Sequence, residues 1–128
     1  GGGGDDGPEV KRFTKLITKN GNKQNFPTKG DKVKCFYTGK LEDGTIFDSN
    51  MDEEWLKAKK RKGQPFTFKV GSGLVIKGWD QALLEMSVGE KATVTIEPEW
   101  AYGKKGMPEV GIGPNATLIF DIELAALV

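Results

Sequence analysis

The sequence contains no histidine. That absence removes the commonest general base, the Ser-His and Cys-His nucleophile arrangements and the commonest zinc ligand. Cysteine occurs once, as Cys35 inside an apolar run, so no disulfide can close within the chain. Such usage suits a reducing compartment or indifference to redox. No apolar run approaches the length of a membrane span, and no membrane partner is expected. Neither sign of charge dominates: 19 basic against 18 acidic residues leave a net charge of +1, so no global field points to nucleic acid. The acidic run Asp52-Glu53-Glu54 lacks the spacing of a calcium loop. Gly71-Ser72-Gly73 has no following Lys-Ser/Thr and reads as a turn, not a phosphate cradle. No metal and no cofactor is expected.

What is present is one domain's worth of chain, 128 residues long. Residues 1–7 are glycine and aspartate, cannot build a core, and read as a disordered tail. The folded domain is expected over 8–128. Within it, 75–86 organises the rest. Val75-Ile76 is β-branched, Gly78 follows, and Trp79, Ala82, Leu83 and Met86 then recur at the spacing of one helical face. Asp80, Gln81 and Glu85 fall on the opposite, solvent face. A helix of about two turns is not stable alone and must be packed.

Its partner is a sheet. Residues 11–18 mix apolar residues with lysines, as an outer strand does. Residues 33–41 alternate, with Val33, Cys35 and Tyr37 on one face. Asp43-Gly44 marks a hairpin into Ile46-Phe47-Asp48-Ser49. Strands are also predicted over 65–70, 91–96 and 116–124. Residues 50–63 break the pattern, with acids first, bases last and Gly63 at the end. They read as a short exposed helix with a glycine C-cap and a Glu53–Lys57 pair. Residues 104–115 read as a long surface loop. Strands, one short helix, then strands again argue an α+β fold with an antiparallel sheet.

With the usual catalytic groups missing, the aromatics Tyr37, Phe47, Phe66, Trp79, Tyr102 and Phe120 stand out at element ends. They could simply form the core of a small sheet. Two observations weigh against that. Buried phenols want partners, and Asp48 beside Phe47 must be paired or solvated. An aromatic bowl with a few polar handles is the general form of a small-ligand pocket.

The motifs Tyr37-Thr38-Gly39, Leu41-Glu42-Asp43-Gly44, Phe47-Asp48-Ser49, Val75-Ile76-Lys77-Gly78-Trp79, Ala101-Tyr102-Gly103 and Asn115-Ala116-Thr117-Leu118 with Phe120 occur in one order. Over 13–124 the chain resembles the FKBP-type peptidyl-prolyl isomerases, the immunophilins that bind tacrolimus (FK506) and rapamycin. The resemblance implies a curved antiparallel sheet of about five strands wrapped around one short helix. It implies that Trp79 is the pocket floor, that Tyr37, Phe47, Phe66 and Phe120 line it, and that Asp48 is its polar group near Tyr37. Val75 and Ile76 would form a rim, with the Ile76 N–H holding a ligand carbonyl. Tyr102 and Ile112 would border the mouth, Tyr102 as a hydroxyl donor. Catalysis would rest on Tyr37, Phe47, Asp48, Trp79, Tyr102 and Phe120. In the family a basic residue commonly bonds to this aspartate, and it would fall within 50–63. Partners would be proline-containing peptides and the two macrolides, and the chain is expected to be a monomer.

Lys57, Lys59, Lys60, Arg61 and Lys62 admit two readings. One is a solvated helix end. The other is a nuclear-localisation or DNA/RNA-contacting patch. The lysine-rich insertion and the run Glu97–Gly106 resemble the nuclear branch of the family, so a nuclear location is expected, with the cytoplasm as the alternative. Two further readings of function stay open: a non-catalytic module for proline-containing segments, and a nucleic-acid-associated adaptor.

Overall fold

In the computed structural model, which describes residues 9–128, the alternating run around Cys35 becomes β2 (Lys32–Leu41), the strand that most others meet. The remaining strands are β1 (Phe13–Lys19), β3 (Ile46–Ser49), β4 (Phe66–Lys69), β5 (Lys91–Ile96) and β6 (Leu118–Leu127). They form one antiparallel, six-stranded sheet in the order β1-β5-β6-β2-β3, with β4 also on β2. The expected tail at 1–7 lies outside the described residues.

The sixth strand arises because β3 and β4 share one edge of β2. β3 pairs with Thr38–Lys40 and β4 with Lys32–Cys35. Asn50 fills the gap between them. Its Oδ1 accepts the Tyr37 N–H at 2.7 Å, and its Nδ2 donates to the carbonyls of Cys35 at 3.1 Å and Gln64 at 2.9 Å. One side chain thus satisfies backbone groups that a strand would otherwise pair.

The predicted helix is α2 (Lys77–Leu83), with Ile76 as its N-cap (φ −57°, ψ 149°) and Val75 in the bend before it. Trp79, Ala82, Leu83 and Met86 are all buried, packed in one core with Val94, Ile96, Ile122 and Leu124 of the sheet. A Cβ on Gly78 would sit 2.5–2.8 Å from the Ile96 side chain, so α2 approaches the sheet at its one residue without a side chain.

Four details differ from the sequence reading. Asp80 is buried, not solvated, because its carboxylate bonds the backbone amides of Gly71 and Gly73. Lys15 on β1 turns inward to Glu90 (2.6 Å) and the Glu85 carbonyl (2.6 Å), tying the outer strand to the turn after α2. The helix within 50–63 is α1 (Glu53–Ala58), capped by Asp52, but Leu56 is buried and Gly63 does not end it. Lys60 takes the left-handed conformation instead (φ 57°), while Gly63 packs against the Asn50 carbonyl. Glu53 and Lys57 form no ion pair among the described residues. Finally, the 104–115 loop is anchored: Met107 bridges Ile112, and Pro108–Val110 forms a 3₁₀ turn.

Candidate active site

Trp79 is the centre of the aromatic cluster. Four rings surround its indole: Tyr37 (centroids 5.2 Å, 90°), Phe120 (5.5 Å, 89°), Phe66 (6.0 Å, 79°) and Phe68 (5.9 Å, 62°). Phe47 meets Phe120 edge-on at 5.5 Å and 89°. Steep tilts at these distances place the positive edge of one ring on the negative face of another. They also set the rings as walls around Trp79 and leave a cavity of about 300 Å³ above it. Trp79 is only 4% exposed, and it still lines that cavity.

The cavity is lined by Tyr37, Phe47, Asp48, Phe66, Val75, Ile76, Trp79, Tyr102 and Phe120, all singled out in the sequence, and by Leu74. Ile112 is placed elsewhere. It is 1% exposed, lies in the core, and does not face the cavity. The Met107–Ile112 bridge folds its loop back. Leu74, by contrast, is 67% exposed and forms an outer rim.

The walls stand where they do for local reasons. Tyr37 is on the inner face of β2, its amide held by Asn50. Phe47 comes from β3, Phe66 from β4, and Phe120 from β6. Gly39 sits opposite Phe120 in the β2–β6 register. A Cβ there would lie 2.6 Å from the Phe47 ring and 2.8 Å from the Phe120 ring, so the two rings close over a backbone with no side chain.

Polar groups are few. The Tyr37 hydroxyl donates to Asp48 Oδ2 at 2.6 Å. Burial, then that hydrogen bond, push the Tyr37 phenol well above its ordinary pKa. Tyr102 is raised by burial first and by the Asp48 charge second. Both phenols therefore stay protonated donors across the neutral range. Among the described residues no group bonds the Tyr102 hydroxyl, and the Ile76 N–H has no acceptor. Burial pushes the Cys35 thiol up to about 12, and it lies in the core as an inert apolar group.

Asp48 has a cationic neighbour. Arg61 Nη1 is 4.0 Å from Asp48 Oδ1. The Arg61 amide is held by the Leu56 carbonyl at 2.9 Å, and its guanidinium lies 5.4 Å from the Trp55 ring centre. Arg61, itself exposed, thus reaches toward the pocket carboxylate from the surface. Lys57, Lys59, Lys60 and Lys62 are exposed as well, the Lys59 ammonium 5.8 Å from the Trp55 ring centre. Sequence spacing could not separate Arg61 from its neighbours, because the left-handed turn at Lys60 decides where it points.

No group of three or more metal-ligating side chains occurs among the described residues. The arrangement defines a class: an aromatic bowl with a few polar handles, the general form of a small-ligand pocket. A family profile described as FKBP-type peptidyl-prolyl cis-trans isomerase matches residues 23–125. The chain is 46% identical over 114 residues to FK506-binding protein 1A of Aspergillus fumigatus, covering 89% of this chain and 93% of that protein. It is 43% identical over 113 residues to a peptidyl-prolyl cis-trans isomerase of Schizosaccharomyces pombe, covering 88% and 92%. Against the isomerase Fkbp12 of Drosophila melanogaster it is 44% identical over 104 residues, covering 81% and 87%. The chain belongs to the FKBP-type peptidyl-prolyl cis-trans isomerases, and it is an enzyme of that type.

Proposed function

We propose that the bowl over Trp79 is where an Xaa-Pro bond rotates, with the proline ring seated on the indole. Rotation is slow because about 18–20 kcal/mol of amide resonance must be broken. Neither a nucleophile nor a proton transfer is required. Removing water disfavours the charge-separated planar amide relative to the twisted one, and the apolar walls do that. The Tyr102 hydroxyl and the Ile76 N–H, both without partners among the described residues, are available to carbonyls of the substrate. Tyr37 and Asp48 hold the polar end of the wall, and donors that act more strongly on the twisted form speed its passage. The observation that carries this reading is the ring of walls around Trp79 with a cavity above it. A protease-coupled assay on a short Xaa-Pro peptide tests it. Folded wild type should accelerate the bond and Phe47→Ala should lose most of the acceleration. Equal rates in the two would overturn the placement.

The same bowl is proposed to bind tacrolimus and rapamycin, as the names of relatives such as FK506-binding protein 1A speak of FK506. The chain is proposed to act as a monomer on proline-containing peptides and proteins.

A second reading concerns the exposed Lys57, Lys59, Lys60 and Lys62, which form no ion pairs among the described residues. They favour an additional contact with DNA or RNA and a nuclear location, in place of the cytoplasmic alternative. The relatives' names speak of isomerisation and FK506 binding, so this reading rests on the lysines alone. Replacing the four by alanine should weaken nucleic-acid binding and flatten its salt dependence. Unchanged binding would reject it.

A further inference from the structure

Asp80 follows the pocket floor, Trp79, in the first turn of α2, and its side chain is turned away from solvent at 6% exposure. One carboxylate oxygen accepts the Gly71 N–H at 2.8 Å and the other accepts the Gly73 N–H at 3.0 Å. Asp80 has no cationic partner among the described residues. Its charge is met by those two amides and by the positive end of its own helix.

The segment it holds is otherwise free of hydrogen bonds. Among the described residues, the Asp80 bonds are the only ones made by any backbone N–H from Gly71 to Ile76. No carbonyl from Gly71 to Val75 accepts one either. Both clamped glycines have left-handed backbone (φ 76° and 73°), which fixes how the chain leaves β4. The residues that follow directly are Leu74, Val75 and Ile76, the rim of the cavity. One side chain therefore links the floor and the rim: it is rigidly attached to the helix that carries Trp79 and grips the loop that carries Ile76.

We propose that Asp80 is a positioning residue for the isomerase site, setting the height of the Val75–Ile76 rim and the aim of the Ile76 N–H over the Trp79 ring. It touches no substrate. This inference rests on the proposed seat of the Xaa-Pro bond in the bowl. It predicts that loosening the clamp weakens substrate capture while leaving the aromatic floor and walls in place.

The test uses Asp80→Asn and Asp80→Glu in the full chain. Asn keeps the size but presents an N–H₂ where an amide needs an acceptor. Glu keeps both acceptors one methylene further out. Asp80→Asn should raise KM about tenfold, equivalent to about 1.4 kcal/mol, with kcat per folded molecule nearly unchanged. Amide exchange should speed up at Gly71 and Gly73, and Glu should restore part of the loss. A role confined to stability would instead lower the folded fraction and leave KM where it was, and that result overturns the proposal. So does faster exchange at the two glycines with wild-type KM. If Asn fails to fold, Asp80→Glu alone decides: its displaced carboxylate must shift KM and the Ile76 amide resonance, and wild-type values for both overturn the idea. A control separates this proposal from the one beneath it. In wild type, adding the Xaa-Pro peptide should shift the Ile76 amide resonance. No shift there removes the rim from the site, and the Asp80 role with it. A shift there combined with an Asn variant of wild-type KM removes only the Asp80 role.

Discussion

Arg61, one of a run of bases that looks in the sequence like a single exposed patch, lies 4.0 Å from the carboxylate of Asp48. That carboxylate also accepts the Tyr37 hydroxyl, so Arg61, Asp48 and Tyr37 form a short chain from the surface into the bowl. Arg61 is 60% exposed and its attraction to Asp48 is screened, worth about 0–1 kcal/mol. Arg61→Ala should therefore lower kcat/KM modestly, by less than about fivefold, and the loss should shrink as salt is added. Lys60→Ala or Lys62→Ala should leave it unchanged. A larger effect from either lysine would show that the division of the run is misplaced.

Gly39 is the one position in β2 where two pocket rings close over bare backbone. Gly39→Ala places a methyl group against both Phe47 and Phe120. Overpacking of this kind costs about 1–3 kcal/mol. The melting temperature should fall, and isomerase activity should fall further than the folded fraction does, since both displaced rings line the cavity. Activity that tracks the folded fraction alone would contradict the packing described.

Asn50 supplies the bonds that hold the gap in the sheet edge. Asn50→Ala leaves the part-buried Tyr37 N–H and Cys35 carbonyl without this partner, while the exposed Gln64 carbonyl can turn to water. Leaving one such buried group without a partner costs about 1–3 kcal/mol. Chemical denaturation should show a loss of that size or more, and hydrogen exchange should quicken at Tyr37 ahead of the centre of β6. An Asn50→Ala variant as stable as wild type would contradict the bracket.

The two tyrosines, Tyr37 and Tyr102, both have raised phenol pKa values in the folded chain. An unfolded phenol ionises near about 10. Above that pH the folded state binds more protons than the unfolded state, so stability is fully present below about pH 10 and declines as pH rises beyond it. Phenolate absorbance of the folded chain at about pH 10 should stay below that of the unfolded chain at the same pH. Ionisation of Tyr37 at its ordinary pH in folded protein would contradict the Tyr37–Asp48 arrangement.

Much of the fold was legible because periodicity reports which face is buried. The alternation from Val33 to Leu41 and the helical spacing of Trp79, Ala82, Leu83 and Met86 both led to the observed core. The bowl was legible because aromatics stood out beside Asp48 in a chain without histidine or the usual nucleophile arrangements. What escaped was set by side chains reaching across the fold. Asn50 replaces a strand partner, Lys15 turns in to a distant Glu90, and Asp80 leaves the solvent face to hold two amides. Periodicity assigns a face to a residue but not a partner, and each of these residues is placed by its partner. Ile112, whose motif position suggested the mouth, is 1% exposed and part of the core cluster.

The central claim is that one bowl, floored by Trp79, both seats tacrolimus and turns Xaa-Pro bonds. The most direct measurement follows the isomerisation rate of a short Xaa-Pro peptide as tacrolimus is added to a known concentration of folded protein. The account predicts that the catalysed rate falls linearly and vanishes at one macrolide per chain, and that Phe47→Ala, with its wall removed, needs a large excess. Full catalysis in the presence of saturating, bound tacrolimus would place the two events at different sites and contradict it.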